Sequence, residues 1–195
     1  PKIANISKLP GSRNYPPFHT INMDSWGPVE PSLKGNNQFF GAFCRSTSFA
    51  LGRPIRSTTE IPLATEQFLE AIAARGDSVV EIRADNGATF RSDAFSKLCS
   101  DHGIRPRFSA PYSPHQNALA ERPWRTLAEM TRCLLVTAGL PHSFWQMAFI
   151  HAVFLHNRTY RSGVDGIPLT LATNQTADLS SCLLYTSDAA DEEDS

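Results

Sequence analysis

The chain has 195 residues, 41% hydrophobic and 19% charged, a composition that fits about one soluble globular domain with its own core. Its apolar runs fall far short of the ~20 residues of a membrane span, and the opening Pro1-Lys2-Ile3-Ala4-Asn5 has no signal-type apolar block and no starting Met, so no membrane partner is expected and the chain reads as part of something longer. The net charge of −1 is uneven: the last 14 residues hold five of the 19 acids and no base, leaving 18 bases against 14 acids, the sign a nucleic-acid partner favours.

Residues 1–14 are polar, contain Pro10 and Gly11, and read as a linker. Phe18 to Asp24 reads as a strand running into a turn at Trp26-Gly27-Pro28. Asn37 to Cys44 and Thr47 to Ile55 read as two more, joined by a tight loop and therefore antiparallel. Thr58-Thr59-Glu60-Ile61-Pro62 has the chemistry of a helix start, and that helix stops at Arg75-Gly76. Ser78 to Ala84 is rich in β-formers and precedes Asp85. Ser92 to His102 is a short amphipathic helix closed by Gly103, and Ile104 to Phe108 a short strand. A proline-rich loop, Ser109 to Pro114, leads into a long helix from about His115 to Ala138. Pro141 opens another, with Phe144, Trp145, Ala148, Ile150, Ala152, Val153 and Leu155 as its apolar surface. Early strands followed by β-α-β-α-α argue for a mixed sheet flanked by helices.

Cys44, Cys99, Cys133 and Cys182 form no C-x-x-C pair, so zinc ligation is not expected and isolated buried thiols are. Between Arg91 and Arg132 seven bases stand against four acids, although a solvated mixed surface is the plain reading of any one arginine.

Three carboxylates stand out. Asp24 closes the first strand, Asp85 follows the β-rich run in Ala84-Asp85-Asn86-Gly87, and Glu121 lies near the start of the long helix, with 35 residues between the last two. If the two strands are neighbours, both aspartates emerge at one sheet edge and the helix can deliver the third carboxylate. Hard cations take oxygen ligands, and two such ions about 3.5–4 Å apart can activate an attacking oxygen and relieve charge on a leaving one. Any one of these acids alone is more often a turn former or surface group.

Together, Asp24-Ser25-Trp26-Gly27-Pro28, Arg83-Ala84-Asp85-Asn86-Gly87-Ala88-Thr89-Phe90, His102-Gly103-Ile104 and Ser109-Ala110-Pro111-Tyr112-Ser113-Pro114-His115-Gln116-Asn117-Ala118-Leu119-Ala120-Glu121-Arg122 resemble the catalytic core of copia-type retrotransposon integrases, with the D-D-35-E triad of retroviral and retrotransposon integrases. Trp124-Arg125-Thr126-Leu127, Phe144-Trp145 and His156-Asn157-Arg158 extend the likeness, which runs over about residues 15–181. The resemblance implies an α/β, ribonuclease-H-like fold with a mixed five-stranded sheet. It implies Asp24, Asp85 and Glu121 as catalytic ligands of two Mg²⁺ or Mn²⁺ ions. The reaction would trim element DNA ends and then drive the new 3′-hydroxyl into a target duplex. Tyr112, His115, Gln116, Asn117, Arg122 and Arg125 would touch DNA; helix capping for Gln116 and Asn117, and loop packing for Tyr112, are the alternatives. A homo-oligomer, and a nuclear location with a cytoplasmic particle stage, follow at family level.

The departures are specific. Ala118 replaces the usual Gly, Thr89 an acid, and Cys44-Arg45 an Asp-Asp pair. Pro123 sits two residues after Glu121, where a helix proline costs about 3 kcal/mol if it lies beyond the first turn. No cysteine precedes residue 24, so the zinc module of such integrases is missing from this stretch. Residues 182–195 are read apart from the core: Ser181 to Asp191 resembles the translation of a transposase-type sequencing adapter, with a genuine acidic tail as the alternative. Two functional readings therefore stand, an active integrase core and a decayed, truncated element fragment that at most binds nucleic acid. A ribonuclease H or another nuclease of the same fold ranks below both.

Overall fold

A computed structural model describes residues 15–109 and 114–180, with backbone only for 114–122; the expected linker 1–14, Tyr112 and the tail 182–195 lie outside the described residues. Five strands and five helices follow in the order β1 (Thr20–Trp26), β2 (Gln38–Cys44), β3 (Ala50–Ile55), α1 (Ile61–Ala73), β4 (Glu81–Ala84), α2 (Asp93–Asp101), β5 (Arg105–Phe108), α3 (Pro114–Thr137), α4 (Trp145–Arg158) and α5 (Pro168–Thr173). The strands form one mixed sheet in the order β3-β2-β1-β4-β5. The β1–β2 and β2–β3 pairs are antiparallel, whereas β1–β4 and β4–β5 are parallel, each reached through a helix-bearing crossover. Among the described residues no helix is long and apolar enough to cross a membrane.

The alternation of β2 builds both layers. Phe40, Ala42 and Cys44 enter one cluster with Ile21, Met23, Ile82, Ala84, Phe68, Leu69 and Phe95, under α1 and α2. Phe39 and Phe43 enter the other with Ala50, Trp124, Leu127, Trp145 and Phe149, under α3 and α4. Because both faces of β2 are covered, its sequence is apolar almost throughout. The helix boundaries follow their caps. Ser57 accepts the Thr59 N–H at the 3-10 turn that precedes α1, Ser92 accepts the Phe95 N–H of α2, and Gly103, at φ +65°, ends α2.

Four elements differ from the expected bounds, among them β3, which starts at Ala50 and not Thr47 because Ser48, at φ +58°, turns the chain between β2 and β3. β1 starts at Thr20 because buried Phe18 has φ +61°, which turns the chain just before the strand. β4 is correspondingly shortened: Val80 and Glu81 both donate to His19 O at 3.0 Å, and with β1 starting so late Ser78 and Val79 have no strand to pair with. The expected helix at Pro141 begins as a 3-10 turn over His142–Phe144 and becomes α4 at Trp145. α5 was not expected. It is six residues long with Pro168 at its start and Asn174, at φ +57°, at its end, and it buries Ala172 in the first cluster. Cys44 and Cys99 are buried as expected, whereas Cys133 is exposed on α3.

The C-terminal end of α4 secures the outer edge of the sheet. Asn157 accepts from Ala50 N at 2.7 Å and donates to Ala50 O at 2.8 Å, so one side chain does the work of a neighbouring strand. Beside it, His156 Nε2–H donates to Ser48 O at 3.0 Å, and its buried Nδ1 has no partner among the described residues. Burial, and then the nearby Arg161 charge, push the His156 imidazolium pKa from 6.5 down to about 4, against the opposing pull of the Ser48 carbonyl. The folded pKa lies below the unfolded one, so this stability is fully present above pH ~6.5 and is lost as pH falls toward ~4, amounting to about 3 kcal/mol. Urea unfolding near pH 7 and near pH 4 should therefore show a smaller acid loss in His156→Gln than in the parent chain. An equal loss in both would assign the acid limb to other groups.

Candidate active site

The parallel centre of the sheet brings the two aspartates together. β1 and β4 pair as Thr20↔Glu81, Ile21↔Ile82 and Asn22↔Arg83, and the same register carried two residues further sets Asp24 level with Asp85. Ile21, Met23, Ile82 and Ala84 all lie in the α1/α2 cluster, so strand alternation turns Asp24 and Asp85 to the other face, the one that α3 covers. Adjacent strands run about 4.8 Å apart, a spacing at which two carboxylates can share a cation.

Asp24 does not close its strand, contrary to expectation. β1 continues through Ser25 and Trp26, paired with β2 alone after the β4 partnership has ended. The half-buried Asp24 accepts the Ser25 N–H on Oδ1 at 2.8 Å. Asp85 immediately follows β4, is exposed, and accepts the Gly87 N–H on Oδ1 at 2.9 Å, the Asx-turn geometry its Asp-Asn-Gly sequence favours. The turn after it is tied down by Arg91, whose Nε donates to Asn86 Oδ1 at 2.6 Å while its guanidinium lies 4.8 Å from the centre of the Phe108 ring.

Glu121 lies on α3, and its side chain is outside the described residues, as are those of His115, Gln116, Asn117 and Arg122. What can be placed is the helix that carries them. Trp124, three residues on, is 7% exposed and packs edge-on against Phe43 at 5.5 Å. Its Cη2 lies only 3.0 Å from where a Cβ on Gly41 would be, and Gly41 is the β2 partner of Asp24. α3 thus meets the sheet beside Asp24, and position 121 precedes that contact by nearly one turn. Arg125 is exposed on the same helix. Pro123 is interior to α3, as feared from the sequence, where it removes a backbone hydrogen bond without ending the helix.

Among the described residues no three His, Cys, Asp or Glu side chains converge to hold an ion, a set that does not include the Glu121 side chain. The two described candidates are both hard oxygen donors suited to Mg²⁺ or Mn²⁺. The positioning pair Gly41 and Trp124 was not singled out from the sequence. The signal was there: a glycine inside the aromatic strand Phe39-Phe40-Gly41-Ala42-Phe43 marks a close approach of another group.

The integrase core domain family model matches residues 15–114. The retrovirus-related Pol polyprotein from transposon TNT 1-94 of Nicotiana tabacum is 36% identical over 141 residues, covering 71% of this chain and 11% of that polyprotein. The transposon Ty1-NL2 Gag-Pol polyprotein of Saccharomyces cerevisiae is 26% identical over 156 residues, covering 77% of this chain and 9% of the polyprotein. The chain therefore spans about a tenth of the length of these curated relatives. Among solved structures, the catalytic core domain of BIV integrase superposes with a TM-score of 0.60 at 17% identity, over 80% of this chain and 95% of that one. The fold is thus that of a retroviral integrase core, a ribonuclease-H-like mixed sheet flanked by helices.

Replacing a strand glycine by alanine usually helps slightly. At Gly41 the sign reverses, because the added methyl would meet Leu51 O at 2.7 Å and the Trp124 ring at 3.0 Å. Gly41→Ala should lower the unfolding free energy by about 1–3 kcal/mol in urea titration. A neutral or stabilising result would show that α3 does not press on the sheet at this point.

Proposed function

The chain belongs to the integrase core domain family, and from that premise we propose that it is the catalytic core of a copia-type retroelement integrase, one part of a longer polyprotein. The observation that carries this reading is the shared register of Asp24 and Asp85 on neighbouring parallel strands, on the face where α3 brings in the Glu121 position. Asp24, Asp85 and Glu121 would hold two Mg²⁺ or Mn²⁺ ions. Such a pair, when bound, activates the attacking oxygen and offsets charge on the leaving oxygen of a phosphodiester.

The chain's own contribution is placement. Backbone N–H bonds to Oδ1 of each aspartate restrict its rotation, and the sheet sets the separation between the two. The exposed guanidinium of Arg125 on α3, with Tyr112, His115, Gln116, Asn117 and Arg122 upstream, would bind the DNA backbone and hold the scissile bond over the carboxylates. Water would be the nucleophile in end trimming and the new 3′-hydroxyl in joining, with no covalent protein–DNA link. Element ends and a target duplex are the substrates, a second copy of the chain is the expected partner, and the nucleus is where the reaction takes place.

A second reading, a decayed element fragment without turnover, is favoured by one observation, the interior position of Pro123 two residues from Glu121. The two readings part in one assay. On branched DNA with Mn²⁺ the chain should give strand-transfer or disintegration product, reduced roughly 100-fold or more in Asp85→Asn and Asp24→Asn, about 2.7 kcal/mol of barrier. Product no higher than that of Asp85→Asn would select the decayed fragment. Pro123→Ala should raise stability by up to about 3 kcal/mol, and recovery of product in that variant alone would identify the proline as the lesion.

A further inference from the structure

On the same face of the sheet as Asp85, two guanidinium groups pair with the carboxylate of Glu81 and a third lies near enough to feel its charge. Glu81 is 9% exposed. Its Oε1 lies 2.7 Å from Arg83 Nε and its Oε2 lies 3.6 Å from Arg107 Nε. Arg83 and Arg107 are register partners on β4 and β5, with 46% and 65% of their side chains exposed. The third, Arg45, follows β2 and is tied by its N–H to Thr20 O at 2.9 Å. Its pKa is held below the usual arginine value by burial and then by the Arg83 charge, with Glu81 pulling the other way.

One carboxylate cannot neutralise three guanidiniums, so the group carries a surplus of about two positive charges at neutral pH. A protein seeking only to stabilise Glu81 needs one partner. Like charges held together at a partly open surface instead suit an anion that comes and goes, and the planar guanidinium fork matches phosphate oxygens in pairs. Position matters as much as charge. Two strand residues span about 6.8 Å, close to the separation of neighbouring phosphates along one DNA strand. On this face β4 and β5 set Arg83, Arg105 and Arg107 beside Glu81, and among the described residues all three arginines remain exposed.

We propose that Arg45, Arg83 and Arg107, organised by Glu81, form a phosphate clamp that grips the DNA backbone about one nucleotide from the bond aligned over Asp24 and Asp85. The clamp deepens the integrase reading and rests on it. Its sequence-independent contacts would fix the register of the strand and add to ionic affinity.

The test is the salt dependence of duplex DNA binding by the whole chain, read by fluorescence anisotropy. Arg107→Gln is the first variant, because Arg107 is the most exposed member and its ion pair to Glu81, at 3.6 Å, is longer than that of Arg83. Arg45→Gln is the second, should the first alter the far-UV circular dichroism. Lys97→Gln, on α2 behind the opposite face, controls for net charge. Each clamp variant should reduce the slope of log K against log[salt] by about 0.9, the value of one phosphate contact, and Lys97→Gln should leave it unchanged. A parental slope in both clamp variants, or an equal fall in Lys97→Gln, overturns the clamp while leaving the integrase reading standing. A flat line for the parent chain overturns both.

Discussion

The seat of Trp124 and Phe149 on the sheet is the contact on which the rest depends. Gly41 and Gly52 are register partners on β2 and β3, and both lack a side chain where the helices come down. A Cβ on Gly52 would lie 2.9 Å from Val153 and 3.0 Å from Phe149, as one on Gly41 would lie against Trp124. The two rings stack at 6.0 Å in that slot, one from α3 and one from α4. Each buried aromatic contributes about 1.5–3 kcal/mol and the pair about 0.5–1.5 more, a large share of a typical domain's net stability. The same contact sets where α3 crosses the sheet, and so where the Glu121 position falls relative to Asp24. Stability and site geometry hang on one packing event.

The rest of the architecture supplies what that contact cannot. Parallel pairing of β1 with β4 brings Asp24, inside β1, level with Asp85, where the chain leaves β4. The β3 edge is closed by the Asn157 side chain, and the β5 edge carries Arg105 and Arg107 around Pro106, a composition that discourages pairing with another chain. His156 shows the cost of such closure: an imidazole packed where it cannot accept a proton without loss.

Much of this architecture was readable beforehand, and the misses share a cause. The strands, the long helix and its end before Gly139 follow from local chemistry, which single residues declare. The sheet order was only implied, and the register that levels Asp24 with Asp85 could not be read, because pairing depends on where each strand starts. Phe18 illustrates this: its left-handed backbone shifts the start of β1 to Thr20, and nothing about a phenylalanine signals that. α5 escaped because six residues carry too little periodicity to register. For the candidate site, the sequence names the carboxylates and Arg125 as residue types in a motif, and the fold adds the register that levels Asp24 with Asp85. Gly41 announced that something approaches the strand but not that it is Trp124, and the grouping of Arg45, Arg83 and Arg107 was not legible, since its members come from separate elements and meet only in the folded chain.

The uneven cover of the sheet has a consequence for how the molecule is organised as layers. Helices clothe both sides of β2, but the apolar packing beneath α3 and α4 includes no residue of β4 or β5. Where a third layer would continue, the strands instead present Arg83, Arg107 and a submerged Glu81. Such a surface gains little from another apolar helix and keeps its water until something equally polar displaces it. Among the described residues, this part of the sheet therefore ends in charge and water and not in a further apolar layer.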